Sequence, residues 1–182
     1  MKFEERILTL KDGRACVLCP TTAAYAEEMI EYLKRTAGET PFLLRYPDEV
    51  CFTPEGEKAF LTGVYEDERS VMMLALVNGV LAGNASLAPL GTVRRVRHRC
   101  SLAIALKKEF WGLGIGTAMI GYMKELGKRA GYTQMELEVA DGNEAAVKLY
   151  EKCGFTVTGR HMNAMRYDDG TCRDEWLMYT EL

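Results

Sequence analysis

Three glycines alternate within FWGLGIGTAMI, residues 110–120, and an apolar run that favours a helix follows them at once. Glycine weakens a helix start unless the backbone there has another use. A strand end near Leu106, a turn with unhindered N–H groups and a helix start can together bind an anion, because free amides and the positive end of the helix dipole face it. The spacing indicates a pyrophosphate site, with a turn that only packs helix against sheet as the alternative.

Two better-known glycine loops fit this segment less well. A Walker loop requires a lysine directly after its last glycine, and the first lysine here is Lys124. A dinucleotide fingerprint has the form GxGxxG, whereas Gly112 and Gly114 are followed by Thr117. Only one strand-helix-strand crossover and one further helix remain after the loop. We therefore exclude a Walker loop and consider a dinucleotide-binding loop a poor match.

The elements before the loop are predicted from turn signals and hydrophobic periodicity. Lys11-Asp12-Gly13 separates strands at 5–10 and 14–19, and Asn78-Gly79 separates strands at 71–77 and 80–90. Between these hairpins we expect one helix capped by Thr21 or Thr22 that ends near Gly38, and another that starts at Thr53-Pro54 and ends near Tyr65. A third antiparallel strand, 95–106, leads into the glycines.

The elements after the loop alternate in type. We expect a helix over 117–130, a strand over 135–139, a helix over 143–152 and strands over 155–165 and 173–181. The chain is thus predicted to be an α/β (α+β) protein with a mixed, mostly antiparallel twisted sheet of about six or seven strands and about four helices. No linker divides it, so residues 1–182 are expected to form one domain.

Composition limits the function classes. The chain is 48% hydrophobic and 27% charged, and its net charge of −3 argues against general nucleic-acid binding. One local exception is the arginine strip, residues 94–99, which carries four arginines and His98. The acidic start MKFEERIL is unlike a signal peptide, and no apolar run approaches the roughly 18 residues of a membrane span. We therefore expect a cytoplasmic protein without membrane contact.

The six cysteines are scattered and are expected to be free and mostly buried. Cys16 and Cys19 form a CxxC pair, but no second pair follows, and only His98 and His161 could complete four ligands. Small apolar side chains in a buried strand explain ACVLC equally well. No metal is expected.

The loop together with the later segment NEAAVKLYEKCGF resembles the acetyl-CoA-dependent GNAT N-acetyltransferase superfamily. WGLGIGT, residues 111–117, resembles the pyrophosphate loop of that family, and Asn143, Tyr150 and Gly154 match its later cofactor and catalytic segment. With the strand SLAIAL the resemblance covers about 101–155. Trp111 is the departure, because the family pattern Q/R-x-x-G-x-G/A has Gln or Arg there, which puts one side-chain contact in doubt.

The resemblance implies that the pantetheine arm of acetyl-CoA pairs with the strand before the loop. The implied cofactor-binding residues include Asn143, whose side chain can also cap its helix. The others are Ile104, Ala105, Leu106, Trp111, Gly112, Leu113, Gly114, Ile115, Gly116 and Thr117. For the arm to pair in this way, the strand must separate from its neighbour, and its backbone groups there stay unpaired unless a ligand forms hydrogen bonds with them.

The implied reaction needs a base, since a lysine-like amine at pH 7 is neutral in only about one molecule in 2,500, a deficit of roughly 4.6 kcal/mol. Glu138 is the first candidate, because one branch of the family has Glu, Asn and Tyr at matching spacing. His98 is the second candidate. Glu136 shares the strand face of Glu138, and both glutamates could simply face solvent. Tyr150 is expected to return a proton to the leaving thiolate, whereas Cys153 is taken to be buried rather than nucleophilic.

The acceptor amine is the least determined part. The family builds this site from the N-terminal helices, the loop around 38–52 and the last hairpin. Asp168, Asp169, Asp174 and Glu175 would attract a cationic amine, whereas the arginine strip would favour an acidic one. The hypothesis is an N-acetyltransferase for a small amine or a protein N-terminus or side chain, either as a monomer or as a homodimer. A non-catalytic acyl-CoA-binding module or an RNA-associated protein is the alternative.

Overall fold

A computed structural model describes residues 1–182. Eight strands form one sheet in the order β1-β2-β3-β4-β5-β6-β8-β7, and all neighbours are antiparallel except β5 and β6. The strands are β1 (Arg6–Thr9), β2 (Ala15–Pro20), β3 (Val71–Val77), β4 (Val80–Pro89), β5 (Arg99–Leu106), β6 (Gln134–Ala140), β7 (Thr156–Arg166) and β8 (Cys172–Glu181). The helices are α1 (Ala26–Glu39), α2 (Pro54–Glu66), α3 (Ile115–Arg129) and α4 (Glu144–Lys152). The predicted mixed α/β class is confirmed, with one strand more than expected.

Local signals placed most elements correctly. Asn78 and Gly79 have φ values of 50° and 80°, the left-handed conformation that a tight hairpin turn requires. The side chain of Thr53 accepts a hydrogen bond from Gly56 N–H at the start of α2, as predicted. Thr22 precedes α1 by a short 3-10 turn and makes no such bond, so the capping predicted for Thr21 or Thr22 was wrong there.

Two predicted boundaries change around β5 and the glycine segment. The strand begins at Arg99 rather than at residue 95, because the preceding residues turn back on themselves, with Val96 and Arg97 N–H both donating to Val93 C=O. Helix α3 begins at Ile115, two residues earlier than predicted, so the third glycine of the segment is already helical.

The two faces of the sheet carry different helices. The larger apolar cluster joins α3 and α4 to one face, and a smaller one joins α1 to the other. Cys16 belongs to the first cluster and Cys19 to the second, so the CxxC pair points to opposite faces of β2 and cannot supply two ligands to one ion. No helix of the chain combines the length and the apolar character needed to cross a bilayer.

Candidate active site

The glycines of the loop are required for two different reasons. Gly112 and Gly114 have φ values of 76° and 94°, and a Cβ on either would meet nothing within 4 Å, so the backbone conformation demands glycine and the space above it is open. A Cβ on Gly116 would lie 2.9 Å from Leu149 Cδ2. That glycine therefore lets α3 approach α4 closely. The packing explanation of the sequence thus holds at Gly116, whereas Gly112 and Gly114 leave the open backbone that an anion site needs.

The main-chain N–H groups of residues 112–117 form a cluster of free donors. They donate to no acceptor in the protein, and α3 starts at its N-cap Gly114 without a side-chain cap. Leu113 differs from its neighbours, since its side chain packs against the core and its carbonyl accepts a hydrogen bond from Lys11 N–H at 3.5 Å. Free N–H groups at the positive end of a 15-residue helix fit a pyrophosphate.

Strands β5 and β6 separate beside this cluster. Their parallel pairing covers only three positions, from Arg99 opposite Gln134 to Ser101 opposite Glu136, although both strands continue beyond them. In an antiparallel ladder, alternate residues direct their main-chain groups to the same neighbour. This alternation directs the main-chain N–H and C=O groups of Ala105 toward β4. The main-chain groups of Ile104 and Leu106 are directed toward the gap. The gap thus presents unpaired backbone groups of the kind that an extended amide chain can meet.

Two side chains shape this edge: Tyr32, which the sequence analysis did not assign, and Trp111, which it placed among the cofactor-binding residues. The Tyr32 hydroxyl of α1 inserts between β4 and β5, where it accepts from Asn84 N–H at 3.1 Å and donates to Ala105 C=O at 2.7 Å. Trp111 Nε1–H donates to Leu106 C=O at 2.8 Å. The carbonyls of Ala105 and Leu106 are therefore occupied, and Ile104 is left as the main-chain partner with both groups directed to the gap.

Helix α4 forms the opposite wall of the cleft. The Asn143 side chain accepts a hydrogen bond from Ala146 N–H at 3.3 Å and caps the helix. Tyr150 is 8% exposed and its ring lies 5.9 Å from that of Phe155, while its hydroxyl makes no hydrogen bond within the protein. Burial raises the pKa of Tyr150 to about 12, so its hydroxyl keeps its proton at neutral pH.

One cleft of about 720 Å³ is enclosed by the free amides of the glycine loop, the open edge of β5 and helix α4. All predicted cofactor residues line this cleft except Leu113, and Tyr150 lines it too. Three lysines, Lys11, Lys148 and Lys152, also line it and were not predicted; they add positive charge that suits phosphate groups. The cleft therefore fits a long ligand with a pyrophosphate at one end and an amide chain at the other.

The two candidate bases lie in different places. Glu138 follows the last paired position of β6 by two residues, so it stands beside the gap, with its side chain 54% exposed. His98 precedes β5, where its carbonyl accepts from Thr133 and Gln134 N–H, at the opposite end of the strand from the glycine loop. Neither lines the cleft itself.

Glu136 is already engaged by a neighbouring strand. Arg99 of β5 donates to both of its carboxylate oxygens, from Nε at 2.5 Å and from Nη2 at 2.6 Å. These hydrogen bonds lower the pKa of Glu136. A carboxylate stabilised in this way is a weak base, so the pairing separates Glu136 from Glu138. Because Arg99 is paired with Glu136, it is also not free to bind an acidic ligand together with the other arginines of the strip.

A second cavity of about 840 Å³ adjoins the cleft. The cleft is lined by Thr40, Phe42 and Asn143, and the second cavity by their chain neighbours Pro41 and Gly142. The turn between β7 and β8 closes its far side: Tyr167 O–H donates to Pro41 C=O at 2.9 Å and Asp168 N–H donates to the Tyr46 hydroxyl at 3.0 Å. No sequence motif marked this cavity, because its walls are more than 120 residues apart in the chain.

The charged side chains of this cavity are mostly paired. Arg160 binds Asp141 at 2.9 Å and Asp174 at 2.6 Å. Arg173 Nη1–H donates to Asp141 C=O at 2.6 Å, and its guanidinium lies over the rings of Phe42 and Tyr167 at 5.1 and 5.5 Å. Four aspartates and two arginines line the cavity, so its formal charge is −2.

Comparison with known proteins agrees with the resemblance drawn from residues 101–155. Residues 25–155 match the family described as "Acetyltransferase (GNAT) family". An uncharacterized N-acetyltransferase of Bacillus subtilis (strain 168), YobR, is 39% identical over 77 residues, which cover 42% of this chain and 31% of that protein. The chain thus matches about a third of the length of this curated relative.

Solved structures share the fold over nearly the whole chain. A GNAT-family acetyltransferase from Streptococcus pneumoniae superposes with a TM-score of 0.87 at 27% identity, over 92% of this chain and 99% of its own. The Salmonella typhimurium protein yncA, solved with its cofactor acetyl-CoA, has a TM-score of 0.79 at 18% identity, over 92% of this chain and 94% of its own. At that identity the second likeness concerns the fold alone.

Proposed function

The chain belongs to the acetyltransferase (GNAT) family, whose members are acyltransferases that use acetyl-CoA, and we propose that it moves the acetyl group of acetyl-CoA directly to a primary amine. The observation that carries the proposal is the continuity of one cleft from the free amides of residues 112–117, along the open edge of β5, to the hydroxyl of Tyr150. All of these residues come from one chain, so the proposal holds for a monomer and for a homodimer. Two exposed free cysteines, Cys51 and Cys172, favour a reducing compartment such as the cytoplasm.

Each part of acetyl-CoA has a matching surface in the cleft. The pyrophosphate would lie on the free N–H groups at the start of α3, where the helix dipole favours negative charge. The pantetheine amides would pair with the main chain of Ile104, and Lys148 and Lys152 of α4 would attract phosphate groups. The thioester then reaches the part of the gap beside Tyr150.

We assign Glu138 as the general base. The acceptor arrives as an ammonium ion, and Glu138 removes one proton, directly or through water, so that the nitrogen lone pair can attack the thioester carbonyl. The C–N bond forms, the C–S bond breaks, and the second amine proton leaves as the amide is completed. The products are the acetylated amine, the coenzyme A thiol and one released proton. We prefer Glu138 to His98 because Glu138 stands beside the gap.

Tyr150 acts on the leaving sulfur. With its pKa raised to about 12, the hydroxyl is protonated throughout the working range and available as a donor. Thiols ordinarily titrate near 8.5, so full proton transfer from so weak an acid would be uphill. We therefore refine the expected role: Tyr150 keeps its own proton and donates a hydrogen bond that stabilises the developing thiolate. The thiolate is then protonated by the second amine proton, which leaves the nitrogen as the amide is completed, while the proton held by Glu138 is released to solvent.

The acceptor would enter through the cavity between the segment 41–46 and the β7–β8 turn. The formal charge of −2 on its lining favours a cationic amine over an acidic one. Its volume of about 840 Å³ suffices for a small amine or for the first residues of a peptide. The arginine strip lies at the other end of β5 and takes no part.

Thiol release from acetyl-CoA tests the proposal across a panel of small amines, peptide N-termini and lysine side chains. We expect turnover with at least one cationic amine, and a loss of about 100-fold in kcat for Tyr150→Phe and for Glu138→Gln. Tyr65→Phe on α2 and Glu144→Gln on α4 are the matched controls and should behave as the wild type. Acetyl-CoA binding without turnover on any amine would favour the non-catalytic binding module instead.

A further inference from the structure

Three ionisable side chains meet on one face of the sheet at neighbouring strands. Glu138 lies on β6, Glu175 on β8 and His161 on β7, and their possible ligand atoms all lie within 4.8 Å of one another. The register explains the meeting, since Glu138 is opposite Leu177, two residues from Glu175, and His161 is directly opposite Glu175. His161 Nδ1 is 3.6 Å from Glu138 Oε1. The proposed base is therefore part of a cluster.

Glu175 is the unusual member of this cluster. It is 9% exposed, and its carboxylate forms no hydrogen bond or ion pair with any other group in the protein. Its oxygens are not among the fully buried atoms that lack a partner, so they keep contact with solvent, and ionising this mostly buried side chain carries a moderate cost in free energy. Burial raises the pKa of Glu175, the charge of Glu138 raises it further, and His161 lowers it. Its surroundings thus couple Glu175 to the other two members.

Other charged groups near the cluster are engaged elsewhere. On the β5 side Glu136 is paired with Arg99, and at the β7–β8 end Arg160 is paired with Asp141 and Asp174. His161 and Glu175 are therefore the two ionisable side chains that remain close to Glu138 without a stronger partner elsewhere.

We propose that His161 and Glu175 are positioning residues for Glu138, which orient its carboxylate beside the gap and couple its protonation to their own. This inference rests on the proposed function, in which Glu138 takes a proton from the acceptor ammonium. The imidazole of His161, whose Nδ1 is 3.6 Å from Glu138 Oε1, attracts and orients the Glu138 carboxylate when it carries a proton. The negative charge of Glu175 increases the affinity of the cluster for a proton, which makes Glu138 a better base. The side chains of His161 and Glu138 are 55% and 54% exposed, so the cluster is open to solvent and a proton taken from the acceptor can leave from it.

Nuclear magnetic resonance of the imidazole groups tests the coupling without any substrate. The chain has only two histidines, so His98→Asn assigns the signals. We expect Glu138→Gln and Glu175→Gln each to lower the titration midpoint of His161 by roughly three quarters of a pH unit, the effect of removing one unit charge about 4 Å away in a high-dielectric setting. The His98 signal is the internal control. An unchanged His161 midpoint in both variants would overturn the inference.

Kinetics test the positioning role. In Glu175→Gln we expect kcat/KM for the amine to fall about fivefold, while the KM for acetyl-CoA stays constant. In the pH profile of kcat/KM, the rise on the acidic side should move to lower pH. His161→Asn retains a donor toward Glu138, so it should keep more activity than His161→Ala. Equal, wild-type kinetics in these three variants would refute the inference.

The outcomes separate this inference from the proposed function. Loss of activity in Glu138→Gln with wild-type behaviour of the His161 and Glu175 variants removes the inference and leaves the function. Full activity in Glu138→Gln removes the base assignment and the inference with it. If the wild type releases no thiol with any amine, the function fails by itself, and the imidazole titration still decides the coupling. Activity that depends on a chelator-sensitive ion would assign the three side chains to a metal and overturn the proposal.

Discussion

The cleft proposed for acetyl-CoA and the cavity proposed for the amine are neighbours, but the first is lined mainly by main-chain groups and the second mainly by side chains. The cleft offers mainly backbone, with free N–H groups at residues 112–117 and the open main chain of Ile104. The cavity offers side chains, with four aspartates and two arginines from segments far apart in sequence. Backbone groups are the same in every chain and suit a constant co-substrate. Side chains can be exchanged without moving the fold and suit a substrate that differs between enzymes.

The strongest test of this contrast is a change of backbone conformation in the cleft. Gly114→Val places a β-branched residue at φ 94° and puts its side chain into the open space at the start of α3, beside the free N–H groups. We expect acetyl-CoA affinity to fall about 100-fold, measured by calorimetry, because both the strain and the steric obstruction act at the pyrophosphate site. The amine cavity should keep its structure.

A helical glycine supplies the matched control. Gly121 lies within α3, has no positive φ and has nothing within 4 Å of an added Cβ. Gly121→Ala should therefore leave acetyl-CoA affinity unchanged and raise the free energy of unfolding by about 0.5–1 kcal/mol. Equal acetyl-CoA affinity in Gly114→Val and the wild type would contradict the backbone role of the loop.

The corresponding change in the cavity is expected to be smaller and selective. Tyr167→Phe removes the hydrogen bond to Pro41 C=O that joins the β7–β8 turn to the segment 41–46. One such bond contributes about 1 kcal/mol, so the KM for the amine should rise about fivefold in steady-state assays. The KM for acetyl-CoA should not change. A parallel rise in both values would mean that the two regions are not independent.

Sequence reasoning succeeded where the determinant is local. Gly112 and Gly114 stood out because glycines at a helix start need a backbone reason, and both have the left-handed conformation that favours glycine. Asn143 and Tyr150 were assigned through the resemblance of their segment to the family, and the structure places them at the start and near the end of one short helix. The hairpin at Asn78-Gly79 was predicted from its turn residues alone.

Sequence reasoning did not reach groups that meet through the sheet. The Tyr32 hydroxyl contacts Ala105, which is 73 residues away, and the only signal was that a buried tyrosine on the inner face of a helix needs a partner for its hydroxyl. His161 reaches Glu138 across β8, and this depends on a register shift within β7 that no periodicity predicts. For the proposed co-substrate cleft, individual residues could therefore be predicted from the sequence. For the proposed amine cavity, only the segments that contribute to it could be named.

Glu175, beside the proposed base, is expected to reduce the stability of the fold when it is ionised. Because its pKa is raised in the folded state, the protonated form is favoured there, so its stabilising contribution is present below its unfolded pKa and is lost as pH rises through the folded value. At pH 8 the buried charge is a penalty. Glu175→Gln should then raise the free energy of unfolding by about 1 kcal/mol at pH 8, or roughly 2–4 °C in Tm.

The same variant should show no gain at pH 4, where the wild-type carboxyl is already protonated. Thermal unfolding at the two pH values measures the difference. A stabilisation of equal size at both pH values would point to better packing rather than to removal of a buried charge. Higher stability combined with slower acetylation would identify Glu175 as a residue kept for catalysis.

The smallest expected effect concerns the one place where a side chain completes the backbone cleft. Trp111 departs from the Gln or Arg of the family pattern, yet its indole N–H binds Leu106 C=O at 2.8 Å and fixes the end of β5 beside the free amides. A glutamine at this position also has an N–H donor, whereas phenylalanine has none. Trp111→Phe should weaken acetyl-CoA binding about threefold in calorimetry, and Trp111→Gln should bind nearly as the wild type, because the strand end is held by one hydrogen bond of about 0.5–1 kcal/mol. If phenylalanine and glutamine bind equally, the indole acts only as an apolar wall, and the backbone alone forms the cleft.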